Sequence, residues 1–261
     1  RLAEMCRKTL EDGGGFSIGS LRVDRVTGEL AGLLADAGVE MVSLAPEAGS
    51  QRLRDVIRKG VTEEQIFRAA ESLIERGIVN LRLYFMVGLP AEEEEDVDAI
   101  VELARRIGHH AVKTTKGTRR FRRLTLSVNQ FIPKPATPFQ WLPLADAGLV
   151  RRRIQKIKRA FGKERSVSVI HDLPKWNYVQ ALLSLGDRRV GEILLAVHAS
   201  GGNWPQALKQ VNVNADFYVY REKDPAEFLP WDFIDHGVGR EFLLEEYRKA
   251  VETAKEGKLG R

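Results

Sequence analysis

Glu47 is the first place where residue type and spacing suggest chemistry, with Ser50 three positions on. The carboxylate follows an apolar run, Met41 to Ala45, and a proline. A carboxylate so placed can accept two hydroxyl hydrogen bonds at once, as from a ribose. The same spacing also permits a plain surface ion pair with Arg52 or Arg54. A second candidate is Gly88-Leu89-Pro90, which closes the apolar run Leu81 to Val87. Glycine lets backbone approach a ligand and proline fixes its path, although an ordinary strand-to-helix turn has the same composition. A third is Gln130-Phe131-Ile132, whose backbone groups can face a planar base or lie in a core. Arg22 can pair with a carboxylate or sit free on the surface. The five histidines show no HExxH or H-x-E spacing, and His171-Asp172 offers an adjacent acid/base pair.

The elements that must position these residues follow from periodicity. Phe16 to Leu21 reads as a short strand, and Asp24 as the cap of a helix carrying Val26, Leu30, Leu33, Leu34 and Ala37, stopped at Gly38. Met41 to Ala45 is the next strand. Thr62-x-x-Gln65 is a capping box opening a helix with Ile66, Ala69, Ala70, Leu73 and Ile74 on one face. The near-continuous apolar run Leu81 to Val87 predicts a strand covered on both faces. Glu92 to Asp96 then place negative charge at a helix N-terminus, where the dipole favours it. Leu124 to Ile132 is a fourth strand, Ala145 to Phe161 a basic helix, and Val167 to Ile170 a last short strand. Helices are predicted over Pro174 to Leu185, Val190 to Ala199 and Arg240 to Ala254. Strand and helix alternate about every 40 residues, which predicts a parallel sheet, open or rolled into a barrel. Ligand sites in both lie at the carboxyl ends of the strands. The expected division is 1–165 for this part and 166–261 for a helical, aromatic-rich extension.

Composition narrows the classes. One cysteine, Cys6, excludes an internal disulfide, fits a reducing, cytoplasmic setting, and cannot by itself build a zinc or iron–sulfur site. No apolar run reaches the roughly 18 residues of a membrane span. The net charge of +5 is uneven: Val112 to Arg165 holds 15 Lys/Arg against Asp146 and Glu164, or +13, leaving −8 elsewhere. Such an excess is either a footprint for a polyanion such as RNA or a solvated helix face with a mobile basic loop over Lys113 to Arg123. The chain begins at Arg1 without an initiator Met, which suggests that it is cut from something longer.

The motifs in order resemble the radical S-adenosylmethionine (SAM) superfamily, and within it the cobalamin-domain proteins described as Fe–S oxidoreductases. They are SLRVD from Ser20, LAPEAGSQRLRDVIRKG from Leu44, LYFMVGLPAE from Leu83, FIPKPATPFQW from Phe131, GDRR from Gly186, and LPWDFIDHGVGREFLLEEYRKA from Leu229. The resemblance implies an incomplete parallel (β/α) barrel. It assigns Glu47 to the SAM ribose, Gly88, Leu89 and Pro90 to the wall beside the adenine, Phe131 and Ile132 to hydrogen bonds with the adenine, and Arg22 to the methionine moiety. Ser50 falls at the same mouth. It also implies a 4Fe–4S cluster, a reductant, and cobalamin through an upstream domain.

The chain departs from this pattern in lacking the Cys-x3-Cys-x2-Cys loop that holds the cluster. It reads as a C-terminal fragment, unable alone to cleave SAM reductively. In the full protein, electron transfer from the cluster would yield a 5′-deoxyadenosyl radical that abstracts a substrate hydrogen. The alternatives are an RNA-binding module built on the basic segment, and a non-catalytic half-barrel scaffold. The substrate is unspecified, no membrane partner is expected, and an open sheet edge predicts self-association.

Overall fold

The structure, a computed structural model, describes residues 2–115 and 121–259. The chain divides into two compact units. One comprises Arg1–Val87, Ala91–Asn129 and Arg152–His171; the other comprises Gly88–Pro90, Gln130–Arg151 and Asp172–Arg261.

The first unit is an α/β sheet, open rather than closed, in the arrangement of a partial parallel barrel. Among the described residues its four parallel strands are β1 (Met41–Glu47), β2 (Asn80–Val87), β3 (Arg123–Gln130) and β4 (Val167–Ile170), in spatial order β1-β2-β3-β4. The β1–β2 register runs from Met41 opposite Asn80 to Leu44 opposite Leu83. It slips before Glu47, which faces Phe85. Parallel pairing brings the carboxyl ends of the strands to one edge of the sheet.

Helices α1 (Leu2–Glu11), α2 (Gly28–Asp36), α3 (Gln51–Val56), α4 (Glu63–Glu75) and α5 (Glu94–Thr114) complete the unit, together with much of α6 (Ala147–Ala160). Thr62 and Gln65 form the reciprocal capping box of α4, and all five residues of its predicted stripe are buried. Each large aliphatic side chain removed from water there contributes about 1.5–3 kcal/mol, so packing rather than helix propensity holds α4. Gly77 ends the helix with φ 94°.

Several local expectations are corrected. Phe16 to Leu21 does not form a strand; a single parallel bridge joins Leu21 to Leu44, with the Leu21 N–H bonded to the Ser43 carbonyl. The cap of α2 is Thr27, whose hydroxyl accepts from the Leu30 N–H at 3.1 Å, not Asp24. Asp24 sits in a short 3-10 turn and binds Arg22. β2 is not covered on both faces: Leu81, Leu83, Phe85 and Val87 are buried, while Arg82, Tyr84 and Met86 are half-buried. The continuously buried strand is β3, from Leu124 to Val128. Helix α1 lies where no helix was anticipated, before Gly13; Cys6 is its buried residue.

The second unit is helical: α7 (Pro174–Leu185), α8 (Val190–Ala199), α9 (Trp204–Gln210), α10 (Ala215–Tyr220) and α11 (Arg240–Leu259). One cluster joins Leu144, Leu182, Ile193, Tyr218 and Val219. Another joins Trp141, Leu185, Leu229, Trp231 and Leu243. The Trp231 indole N–H donates to Gln140 Oε1 at 2.6 Å, satisfying the polar edge of a buried ring. Not all of the aromatic tail is core, for Phe228, Phe233 and Phe242 are exposed. Among the described residues no helix is long and apolar enough to cross a membrane.

Candidate functional site

Glu47 closes β1 in a left-handed backbone conformation, φ 67°, immediately after the register slip. A non-glycine residue held there is strained and must be kept in place by its surroundings. Here the surroundings are the loop from Ala48 to Val61, which binds itself together. Arg54 is fully buried, and its guanidinium donates to the carbonyls of Ala48 (3.0 Å), Gly49 (2.9 Å) and Val61 (3.2 Å) and to Gln51 Oε1 (3.0 Å). Desolvation pushes the Arg54 pKa down from its usual value, partly offset by the charges of Glu63 and Asp55. The ion partner of Glu47 is Lys59, Nζ to Oε1 2.9 Å, rather than Arg52 or Arg54. The second carboxylate oxygen, Oε2, makes no hydrogen bond among the described residues, and the side chain is 24% exposed.

The loop is pinned to the start of α5. Asp96, fully buried, accepts from the Ser50 hydroxyl, the Arg52 guanidinium and the Glu93 N–H (2.7 Å). Arg52 also donates to the Ala91 carbonyl at 2.8 Å. Ser50 therefore spends its proton on Asp96 while its oxygen caps α3 through the Leu53 N–H at 3.0 Å. Gly49 is required by proximity: a Cβ there would lie 2.2 Å from the Ile100 nitrogen. The acidic run that suits the α5 dipole thus has a second use. Asp96 locks the loop, and Glu92 binds Arg153 of α6, both side chains nearly inaccessible, with Nη1 to Oε2 at 2.5 Å. The exposed side chain of Glu94 takes Arg153 and Lys156.

Arg22 lies just past the Leu21 bridge. Its side chain is largely exposed and forms a bidentate pair with Asp24 at 3.0 and 3.2 Å. The remaining candidates belong to the second unit and follow β2 and β3 in the chain. Gly88 has φ 79°, and a Cβ on it would lie 2.8 Å from the Ala145 Cβ, so both conformation and space demand glycine. Leu89 is buried and Pro90 half-buried. Gln130, buried, donates to the Ala145 carbonyl at 2.9 Å and accepts from Asn177 at 3.2 Å, so its side chain holds the turn beside Gly88. The Phe131 ring packs edge-on against Phe139, 5.8 Å between centroids. Ile132 packs on the Leu144–Leu182 cluster. The structure therefore brings Glu47 and Ser50 into one loop, and Gly88 and Gln130 into another contact. His171 Nε2 lies 3.5 Å from the Lys158 amine.

The basic segment divides. Residues 116–120, which include Arg119 and Arg120, lie outside the described residues. Arg122 pairs with Glu40, and Arg153 and Lys156 with the acids of α5. Arg151, Arg152, Lys158 and Arg159 form the exposed side of α6. Sequence reasoning did not foresee the Arg54 and Asp96 anchors. Their only sequence signal is the density of Arg and Gln between two glycines, Gly49 and Gly60.

Residues 2–104 match the sequence profile of the Radical SAM superfamily. A protein of Methanocaldococcus jannaschii, described as uncharacterized, is 31% identical over 193 residues, which is 74% of this chain and 40% of the relative. The chain thus spans less than half the length of that relative.

Proposed function

We propose that this chain forms the ribose- and adenine-facing part of a SAM site in a radical SAM enzyme of the Fe–S oxidoreductase kind. The observation that carries the reading is Glu47: a carboxylate at the carboxyl end of β1, strained in backbone, fixed by Lys59 on one oxygen and open on the other. That is the acceptor set a ribose diol requires, with Oε2 and the free lone pairs of Oε1 accepting from its hydroxyls. Gly88, Leu89 and Pro90 would flank the adenine, Phe131 and Ile132 would bond its edge through backbone groups, and Arg22 would exchange Asp24 for the methionine carboxylate.

The 4Fe–4S cluster does not fit these residues. Cluster ligation needs several thiolates, and this chain has one cysteine, buried in α1. Its ligands would come from other parts of the whole protein, as would a cobalamin domain; a reductant would supply the electron. In the whole protein such a cluster would supply one-electron reduction to a bound SAM. Glu47, Gly88, Leu89, Pro90, Phe131 and Ile132 would orient the nucleoside. The protein would work in the cytoplasm on a substrate still to be identified.

Anaerobic reconstitution of the full-length protein with iron, sulfide, SAM and dithionite tests this, with 5′-deoxyadenosine as readout. The nucleoside should form, and Glu47→Ala should weaken SAM binding at least tenfold. No nucleoside from a fully loaded cluster would overturn the reading. A second reading is favoured by the exposed Arg151, Arg152, Lys158 and Arg159: the substrate is RNA. It requires binding that falls steeply with salt, and salt-independent binding would exclude it.

A further inference from the structure

We infer that α4 and α5 together carry a binding site for a first-row divalent metal ion, zinc being the natural probe, formed by Glu71, Glu75 and His110. Glu71 and Glu75 are four residues apart on α4 and share a face. His110 stands on α5, which packs against α4. One ligand atom from each residue falls in a group whose members all lie within 4.8 Å of one another.

Three features distinguish this group from an ordinary surface ion pair. The first is distance: His110 Nδ1 lies 3.5 Å from Glu71 Oε1. That is long for a hydrogen bond, which runs to about 3.2 Å. It is close to the edge of a tetrahedron with bonds of about 2.0–2.1 Å, roughly 3.4 Å, as zinc makes with imidazole and carboxylate. The second is the far side of the ring. His110 Nε2 lies 3.0 Å from Thr114 Oγ1. When the hydroxyl accepts from Nε2–H, the Nδ1 lone pair is left facing the two carboxylates; metal-ligating histidines are fixed in this way by an outer partner. The ring is also braced edge-on against Phe67 at 5.4 Å. The third is Glu75, an exposed carboxylate with no ion pair or hydrogen bond among the described residues, which leaves its oxygens open to an ion beside Glu71 and His110. One imidazole and two carboxylates suit zinc and its neighbours over calcium or magnesium, which prefer all-oxygen shells. Water would complete the coordination, and the ion would tie α4 to α5.

Isothermal titration of ZnCl2 into this chain after EDTA treatment and desalting is the test. One saturable site is expected, with a rise in the thermal midpoint on zinc binding. His110→Ala should weaken that site at least tenfold, Glu71→Gln similarly, and Glu75→Gln several-fold. His198→Ala, on α8, should leave it unchanged. Should His110→Ala fail to fold, Glu71→Gln at a partly exposed position still decides. Absence of a saturable site would overturn the inference. So would zinc binding undiminished by Glu71→Gln and His110→Ala, or calcium binding as tightly as zinc.

Discussion

Arg54 and Lys223 are both buried cations, and they are kept in opposite ways. Arg54, beside the candidate site, is wrapped by three carbonyls and a glutamine oxygen. Lys223, in the helical unit, is 3% exposed, has the Tyr218 carbonyl at 3.4 Å, and lies near Arg221, whose charge adds to its burden. Burial drives the Lys223 pKa down to about 8. A planar guanidinium can satisfy several acceptors at once, while an ammonium with one long contact cannot. The loop after β1 is therefore preorganised by its polar contacts. The helical unit rests on its apolar clusters and carries a polar cost.

The largest effect should come from Arg54→Ala. It leaves the carbonyls of Ala48 and Gly49 without their Arg54 donor and that of Val61 with only the Gln51 amide at 3.4 Å, at about 1–3 kcal/mol for each group left unrelieved. We expect a loss of about 3–5 kcal/mol in urea unfolding. A loss under about 1 kcal/mol would mean that water reaches those carbonyls and the loop is not preorganised. Next is Asp96→Ala, which leaves the Arg52 guanidinium with only the Ala91 carbonyl and frees Ser50 and Glu93. Removing one partner of a buried pair costs about 3 kcal/mol or more. If Glu47 depends on this anchor, the same variant should weaken SAM binding in the full-length protein.

Lys223→Met probes the other side of the comparison through pH. A base whose pKa is lower folded than unfolded binds fewer protons in the native state. Stability therefore rises with pH between about 8 and the unfolded value of 10.5. The native chain should gain on the order of 2 kcal/mol across that window relative to the methionine variant. A constant difference between the two from pH 7 to 10.5 would show that the amine is not desolvated.

The same contrast explains what could be read from sequence. The α4 stripe and its cap were legible because one helix face and one local box encode them: Thr62, Gln65, Ile66, Ala69, Ala70, Leu73 and Ile74 need no distant partner to be recognised. Glu47 and Gly88 were legible as strand-end residues. The coverage of β2 was not, because Tyr84 and Met86 are apolar in type yet lie with Arg82 at the half-buried alternate positions of the strand. Nor was the partner of Glu47, since Lys59 reaches it only through the fold of the loop. Asp96 was visible as one acid among five at a helix start. That it receives Ser50 and Arg52 depends on α5 passing so close to Gly49, a separation that no local pattern records.

The smallest expected effect concerns GDRR, from Gly186. Asp187 accepts from the Arg189 side chain, at 2.7 Å to Nη2, from the Arg189 N–H and from the Tyr218 hydroxyl at 3.0 Å. The Arg189 bonds in the first place hold its pKa down to about 2, against a usual 3.8. A carboxyl whose folded pKa is depressed adds stability that is present above the unfolded value. That stability is lost as pH falls from about 4 towards 2. The Arg189 side chain is 59% exposed, so solvent screening keeps the contribution of the pair small. Asp187→Asn should thus lower the urea midpoint only slightly at pH 6, and the native and variant chains should largely converge in urea midpoint by pH 2. A gap that persists at pH 2 would assign the loss to the Tyr218 contact and packing instead. The second unit would then rest on its polar contacts more than its two apolar clusters imply, and the contrast with the Arg54 loop would narrow.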